Sequence, residues 1–268
     1  MSFNPKVTQW TDKKVWLVGA STGIGEALAR QLDQLGAIQM LSARSVDKLD
    51  KLSAELNNAT ALPVDITSAE AVKMAFQKVM DRLGEIDLVV LLAGTYSEMS
   101  VEKFNIQSVK QQIDVNLNGT MHLLDMLLPC LIQQKKGHLS IVSSVAGYRG
   151  LPNSLAYGPT KAALINLAEA LHMEIKPYNV GVSVVNPGFV DTPLTRQNTF
   201  PMPFLISAEK AAHEMIVGYE KGEFEIHFPK AFTRTLRTLR LLPYSIYFAA
   251  VKRITGGQAP AQLKNDHE

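Results

Sequence analysis

Val15-Trp16-Leu17-Val18-Gly19-Ala20-Ser21-Thr22-Gly23-Ile24-Gly25-Glu26-Ala27-Leu28-Ala29 decides the fold. A short β-rich apolar run ends at Val18, three glycines follow, and a helical pattern begins at Glu26. A strand that turns into a helix through glycine can bend tightly and bring its backbone close to a ligand, because no Cβ stands in the way. The N–H groups at the start of the helix then face whatever binds there, and their partial positive charge suits a phosphate.

Further strands are expected at Ile38–Leu41, Ala61–Val64, Leu88–Leu92, Leu139–Val142, Val182–Val185 and Phe224–Phe228, with helical patterns between them. That alternation predicts an α/β fold, a Rossmann-type doubly wound parallel sheet of about seven strands in a single domain. The main domain is expected over residues 1–231, with an amphipathic basic extension over 232–268. In such sheets ligands bind beyond the carboxyl ends of the strands, so the residues just after each strand carry the functional reading.

Composition narrows the classes. Apolar residues make up 46% of the 268, enough for a large core, and the charged share of 19% is too low for a disordered chain. A net charge of +2 gives no global field to hold nucleic acid, so none is expected as a partner. Cys130 has no second cysteine to pair with, and the six histidines show no metal-ligand spacing. No secretory signal is expected in the first ten residues, and no uncharged apolar run is long enough to span a bilayer. These features suit the cytoplasm.

The glycine spacing G-x-x-x-G-x-G resembles that of the short-chain dehydrogenase/reductase family, although Val18 stands where that family usually has Thr. The resemblance deepens after the fifth strand. Ser143-Ser144-Val145-Ala146-Gly147 follows it, and thirteen residues beyond Ser144 comes Tyr157-Gly158-Pro159-Thr160-Lys161. Four apart on a helix, Tyr157 and Lys161 share a face. Carbonyl reduction builds negative charge on oxygen, which calls for a proton donor and a hydrogen-bond partner. A neighbouring lysine cation favours the phenolate of a tyrosine. The resemblance implies Tyr157 as general acid/base, Ser144 rather than Ser143 as the group that positions the substrate oxygen, and Lys161 as the residue that tunes Tyr157 and binds ribose. Asn116, in Asp114-Val115-Asn116-Leu117-Asn118-Gly119, matches the family asparagine of a proton relay; the plain alternative is a polar side chain bonding a neighbouring helix.

The resemblance also implies a nicotinamide dinucleotide held by Gly19, Ser21, Thr22, Gly23, Ile24 and Gly25. Tyr157 and Lys161 border it too. Arg44, after the second strand, occupies the ribose-reading position where no carboxylate stands. A carboxylate would repel the extra phosphate of NADP, whereas a guanidinium pairs with it, so NADP(H) is expected over NAD(H). A solvated loop charge is the other reading of Arg44. Asp65 resembles the family's adenine-binding aspartate and also suits a helix cap. Ala93 and Gly94 lie beside the cofactor in the family. Pro187, Gly188, Val190 and Thr192 match its Pro-Gly turn, where the Val190 backbone and the Thr192 hydroxyl hold the carboxamide. Pro and Gly also make an ordinary turn.

Departures are present as well. Leu91-Leu92-Ala93-Gly94 replaces the usual Asn-Asn-Ala-Gly, and the loss of two amides predicts a looser fourth strand or weaker cofactor binding. The usual Gly-rich C-terminus is replaced too, so a homodimer fits as well as the family's common tetramer. The segment Pro193–Ile206 takes the place of the family's substrate lid, and its Met, Phe and Leu content suits either an apolar ligand or core packing. Residues 232–242 put Phe232, Leu236, Leu239 and Leu242 on one helical face and Arg234, Arg237 and Arg240 on another, before Pro243 interrupts. The apolar Tyr244–Val251 and Lys252-Arg253 follow. Such a segment fits peripheral membrane contact through 232–254, or packing on the core or a second subunit.

Two functions follow from these motifs. The first is an NADP(H)-dependent oxidoreductase acting on a small, lipophilic carbonyl or alcohol. The second is an NADP(H)-binding sensor on the same fold with little turnover, suggested by the altered Leu91–Gly94 segment.

Overall fold

The computed structural model describes residues 2–197 and 202–254. Asn198–Pro201 of the expected lid and residues 255–268 of the expected extension lie outside the described residues.

Seven strands form one sheet: β1 (Lys14–Val18), β2 (Ile38–Ser42), β3 (Ala59–Ala61), β4 (Leu88–Leu91), β5 (His138–Val142), β6 (Gly181–Pro187) and β7 (Glu225–Phe228). Their order is β3-β2-β1-β4-β5-β6-β7, and every neighbouring pair is parallel. The order reverses between β1 and β4, which opens the crevice where ligands of such sheets bind.

Alternation along the strands builds two cores. Trp16, Val18, Val89, Leu91, Leu139 and Ile141 face one side. There they meet α3 (Ala69–Leu83), α5 (Gly119–Gln134) and α6 (Tyr157–Ile175). Val15, Leu17, Leu88, Val90, Val185 and Ile226 face the other, against α1 (Gly23–Gln34), α2 (Val46–Glu55) and α7 (Ala208–Lys221). Both faces of the sheet are therefore covered, as all-parallel sheets require.

The third strand starts two residues and ends three residues earlier than expected. Its ladder with β2 ends at Ala61. The chain nevertheless runs on beside β2, with Leu62 N–H on the Leu41 carbonyl and Val64 N–H on that of Ala43. Where the two amides are replaced by Leu91 and Leu92, the main chain still bonds to its neighbour. The N–H groups of Leu92 and Ala93 both donate to the Val18 carbonyl, at 2.7 and 2.8 Å, so backbone bonds tie it to β1.

The segment that carries Asn116 is not plain α-helix. It forms instead a π-helical turn, Asp114–Asn118, between α4 (Ile106–Ile113) and α5. Past β7, α8 (Lys230–Arg240) and α9 (Tyr244–Ile254) form a helical corner at Pro243. Phe232 and Leu236 pack on the core while Arg234, Arg237 and Arg240 stay exposed, the two faces that the spacing predicts. No described helix is long and apolar enough to cross a membrane.

Candidate active site

The glycines of the first turn permit no side chain. Gly19 has φ +104°, and a Cβ there would stand 2.6 Å from the Ala93 nitrogen. Gly23 has φ +58°, and its Cβ would press on the Thr192 methyl at 2.8 Å. A Cβ on Gly25 would run into the Gly19 carbonyl oxygen, so this residue is set by the closeness of helix to turn. Thr22, the N-cap of α1, makes no side-chain capping bond, which leaves the first-turn N–H groups for a ligand.

A cleft of about 460 Å³ opens over this turn. Ser21, Thr22 and Ile24 border it with the three glycines, and Arg44 and Asp65 border the end beyond β2 and β3. Ala93 and Gly94 line the side at β4, while Pro187, Gly188, Val190 and Thr192 close the side at β6. Ser144, Tyr157 and Lys161 stand together at the end of β5 and the start of α6. Asn116 alone among the expected site residues does not border the cleft; it lies fully buried behind it.

Asn116 is a brace. Its Oδ1 accepts from the Thr95 N–H at 2.7 Å, and its Nδ2 donates to the Thr95 carbonyl at 3.0 Å and to the Thr160 hydroxyl at 3.1 Å. Thr160 precedes Lys161, so the π-helical turn is bonded both to the loop after β4 and to the helix that carries the tyrosine and lysine. Ser143 is likewise committed to structure, its hydroxyl donating to the Lys161 carbonyl at 2.7 Å. Ser144 instead caps a short 3₁₀ turn, where its Oγ accepts from Ala146 N–H at 3.1 Å and remains at the cleft.

Burial dominates the electrostatics. The Tyr157 phenol is pushed up to about 12 by burial, with Tyr96 adding to the rise and a hydrogen bond from Ser144 opposing it. The Lys161 ammonium is pushed down to about 8 by burial. Its Nζ donates to the Val142 carbonyl at 3.0 Å and stands 5.6 Å from the centre of the Tyr157 ring. The lowering of Tyr157 expected from a neighbouring cation is not seen in the protein alone, where burial governs the shift and the Ser144 hydrogen bond is what opposes it. Asp65 is held below the usual carboxylate range, first by the Thr67 N–H and last by the charge of Arg44. It makes that turn bond, while Ser68 is the residue that caps α3.

Three residues at the site carried only weak sequence signals. Lys48, four positions beyond Arg44 on α2, borders the same end of the cleft. Tyr96 packs edge-on against Tyr157, with centroids 5.0 Å apart and planes at 78°. Phe232, at the start of α8, is stacked on Phe189 at 5.3 Å and on Phe204 at 6.2 Å. It presses on Gly188, where a Cβ would stand 2.8 Å from its ring. Only Lys48, in the first turn of the helix that follows Arg44, was open to sequence reasoning.

Comparison with known proteins agrees with this geometry. The family model for short chain dehydrogenases matches residues 13–201. An uncharacterized oxidoreductase of Myxococcus xanthus is 34% identical over 242 residues, covering 89% of this chain and 96% of its own. One from Staphylococcus epidermidis is 34% identical over 206 residues, 76% of this chain and 90% of the relative. A solved short-chain dehydrogenase from Streptomyces avermitilis superposes with a TM-score of 0.79 at 25% identity, over 92% of this chain and all of that one. The family acts on small molecules and usually binds a nicotinamide dinucleotide, and the three crowded glycines leave bare backbone where a pyrophosphate would lie. With that sheet order, that turn and these matches, the chain belongs to the short-chain dehydrogenase family of oxidoreductases.

Proposed function

We propose that this enzyme is an NADP(H)-dependent oxidoreductase that interconverts a carbonyl and an alcohol on a small, lipophilic molecule. The observation that carries the reading is the meeting of Ser144, Tyr157 and Lys161 in the cleft that also holds the glycine turn. A bound nicotinamide dinucleotide supplies the hydride that is exchanged with the substrate carbon.

The protein's own residues handle oxygen and proton. In reduction Tyr157 donates its phenolic proton to the carbonyl oxygen as charge builds there, and in oxidation the phenolate takes the proton back. Ser144 gives that oxygen a second hydrogen bond, and its bond to Tyr157 favours the phenolate. Lys161 is cationic below about pH 8, so its charge would help the phenolate form, and its ammonium would hold the ribose of the cofactor. Asn116 acts as a positioning residue behind them and supports a proton path to Lys161.

The glycine turn from Gly19 to Gly25 would hold the pyrophosphate, Asp65 the adenine, and Val190 with Thr192 the carboxamide. Arg44, joined by Lys48, favours the phosphorylated cofactor, since two cations and no side-chain carboxylate from β2 meet the ribose end. Phe189, Phe204 and Phe232 supply an aromatic wall near Gly188, which favours a lipophilic substrate. A cytoplasmic location suits the lone Cys130, and a homodimer suits a chain of this fold.

The test is NADPH oxidation by the full chain against a panel of aliphatic and aromatic aldehydes and ketones. Turnover should fall roughly 10²–10⁴-fold in Tyr157→Phe while NADPH affinity holds, since the ring remains and only the proton donor is lost. A wild-type protein that binds NADPH and turns over nothing would favour the sensor.

A further inference from the structure

We propose that the corner between α8 and α9 docks on an anionic lipid bilayer, which covers a stripe of exposed apolar side chains and brings the cleft to the membrane surface. The proposal rests on the surface alone and stands whether or not the cleft proves catalytic.

Charge is the first ground. Residues 230–253 contain Lys230, Arg234, Arg237, Arg240, Lys252 and Arg253 and no acidic residue, a net +6 in a chain of +2, so the remainder carries −4. Two of these cations are spoken for. Arg237 pairs with Glu225 at 3.3 Å and Lys230 with Glu223 at 3.8 Å. Arg234, Arg240, Lys252 and Arg253 have no carboxylate partner among the described residues, so their charge is open to an external anion.

Apolar exposure is the second. Leu241 is 80% exposed, Tyr244 69%, Phe248 61% and Ile246 54%. Tyr244 and Phe248, four apart, share one face of α9 with their rings stacked at 5.7 Å, and Leu241 stands exposed at the corner before them. Lys252 continues that row. An apolar, aromatic stripe edged by cations is the pattern of a helix that lies in the bilayer interface, where rings sit at headgroup depth.

The stripe is also fixed in place. The Arg149 guanidinium donates to the carbonyls of Leu239, Arg240 and Leu242 at 3.4, 3.2 and 2.6 Å. It lies over the rings of Tyr244 and Tyr247, and the Tyr247 hydroxyl donates to the Gly150 carbonyl at 2.7 Å. Tyr247 and Val251 point inward and are buried, so the outward row is held away from the core rather than folded against it. At its other end α8 starts with Phe232 against Gly188 of the cleft wall. Nine residues of helix separate Phe232 from Leu241, roughly 14 Å.

Charge also decides the occupant. A twofold contact with a second copy would bring together two copies of the patch that carries Arg234, Arg240, Lys252 and Arg253, cations against cations with no acidic residue of 230–253 to answer them. A sheet of anionic headgroups over an apolar interior answers both the cations and the stripe.

The full chain is sedimented with phosphatidylcholine vesicles, with and without phosphatidylserine, at low salt and across a NaCl series. Wild type should pellet with the phosphatidylserine vesicles and be released by salt. Leu241→Ser/Phe248→Ser and Arg240→Ala/Lys252→Ala/Arg253→Ala should each bind roughly tenfold more weakly or worse, since one loses insertion and the other attraction. Unchanged thermal melting of both variants would show that only the surface has altered. Wild type left in the supernatant overturns the proposal, as does equal binding to neutral vesicles or wild-type binding by the serine variant. So does a lipid-free dimer, seen by light scattering, that the serine variant dissolves.

Discussion

Lys161 donates its ammonium to the Val142 carbonyl oxygen at 3.0 Å, at the end of β5, while its Nζ stands 5.6 Å from the centre of the Tyr157 ring. The bond crosses from α6 to the sheet and fixes the long side chain between Gly94 and the tyrosine. A Cβ on Gly94 would lie 3.6 Å from Nζ and 3.4 Å from the Asn116 Oδ1, ordinary contact distances that show how closely the three residues gather. The lysine is thus placed by backbone and packing, and burial lowers its affinity for a proton to about 8.

This placement costs stability. Between about pH 8 and 10.5 the unfolded chain holds the Lys161 proton more tightly than the folded one, so stability rises with pH across that window. Below it the full cost of about 3 kcal/mol is present. Lys161→Met removes that cost and loses one hydrogen bond worth about 1 kcal/mol. The variant should melt at a higher temperature than wild type at pH 7, with the gain shrinking toward pH 10, while turnover collapses. A lower melting temperature at pH 7 would show that the ammonium stabilises the fold.

The cofactor preference turns on Arg44 and Lys48. Arg44→Ala should weaken NADPH binding roughly 10- to 100-fold, the worth of one charge-assisted pair, and leave NADH nearly unchanged. Lys48→Ala should give a smaller loss with the same selectivity, and the double variant should bind the two cofactors about equally. Fluorescence titration of both cofactors measures this. Equal losses for NADH and NADPH would mean that the two cations act on the pyrophosphate or on the fold.

Much of this was legible in the sequence because backbone geometry and side-chain chemistry coincide there. Gly19, Gly23 and Gly25 are spaced by the demands of a turn that admits no Cβ, and Tyr157 and Lys161 by the pitch of a helix. The paired bonds of Leu92 and Ala93 to Val18 were hidden, because backbone N–H groups leave no trace in residue type. The end of β3 was misplaced because Leu62 and Val64 remain buried beyond the ladder, and their pattern still reads as strand. Tyr96, Arg149 and Phe232 reach their partners across long stretches of chain, where no local spacing signals contact. The direction of the Tyr157 shift depends on the balance of burial against charge, which only three-dimensional surroundings decide.

His138 should make the fold sensitive to acid. Ser183 donates its hydroxyl to the Glu223 carbonyl at 2.6 Å, so it accepts from His138 Nε2 at 2.8 Å, which places the ring proton on Nε2. Nδ1 is buried with no hydrogen-bond partner among the described residues, and burial holds the ring down to about 4. The unfolded chain takes up the proton first, so stability is full above about pH 6.5 and falls by about 3 kcal/mol by pH 4. His138→Leu should be less stable at pH 7, because Ser183 loses a partner, yet show a flatter profile between pH 6.5 and 4. Urea unfolding across that range tests it, and parallel profiles for the two proteins would place the acid sensitivity elsewhere.

Arg149 joins the loop after Ser144 to the C-terminal helices, and its removal should loosen both. One guanidinium meets three carbonyls at the end of α8 and two rings at the start of α9. Charge-assisted bonds are worth about 1.5–3 kcal/mol and a ring contact about 0.5–2 kcal/mol, so Arg149→Ala should cost roughly 2–4 kcal/mol. The glycine turn does not touch this region, so NADPH affinity should hold. Tyr148 keeps its own bond to Glu225 at 2.6 Å, so the loop should shift rather than unfold, with turnover several-fold lower. Arg149→Lys should restore only part of the loss, because an ammonium can meet the carbonyls that Nη1 alone now meets but cannot lie flat over two rings. Limited proteolysis gives the sharpest readout: cleavage near Leu241–Tyr244 should quicken in both variants. Wild-type melting and wild-type proteolysis in Arg149→Ala would mean that Tyr247 and the packing of Phe232 hold the helices without it.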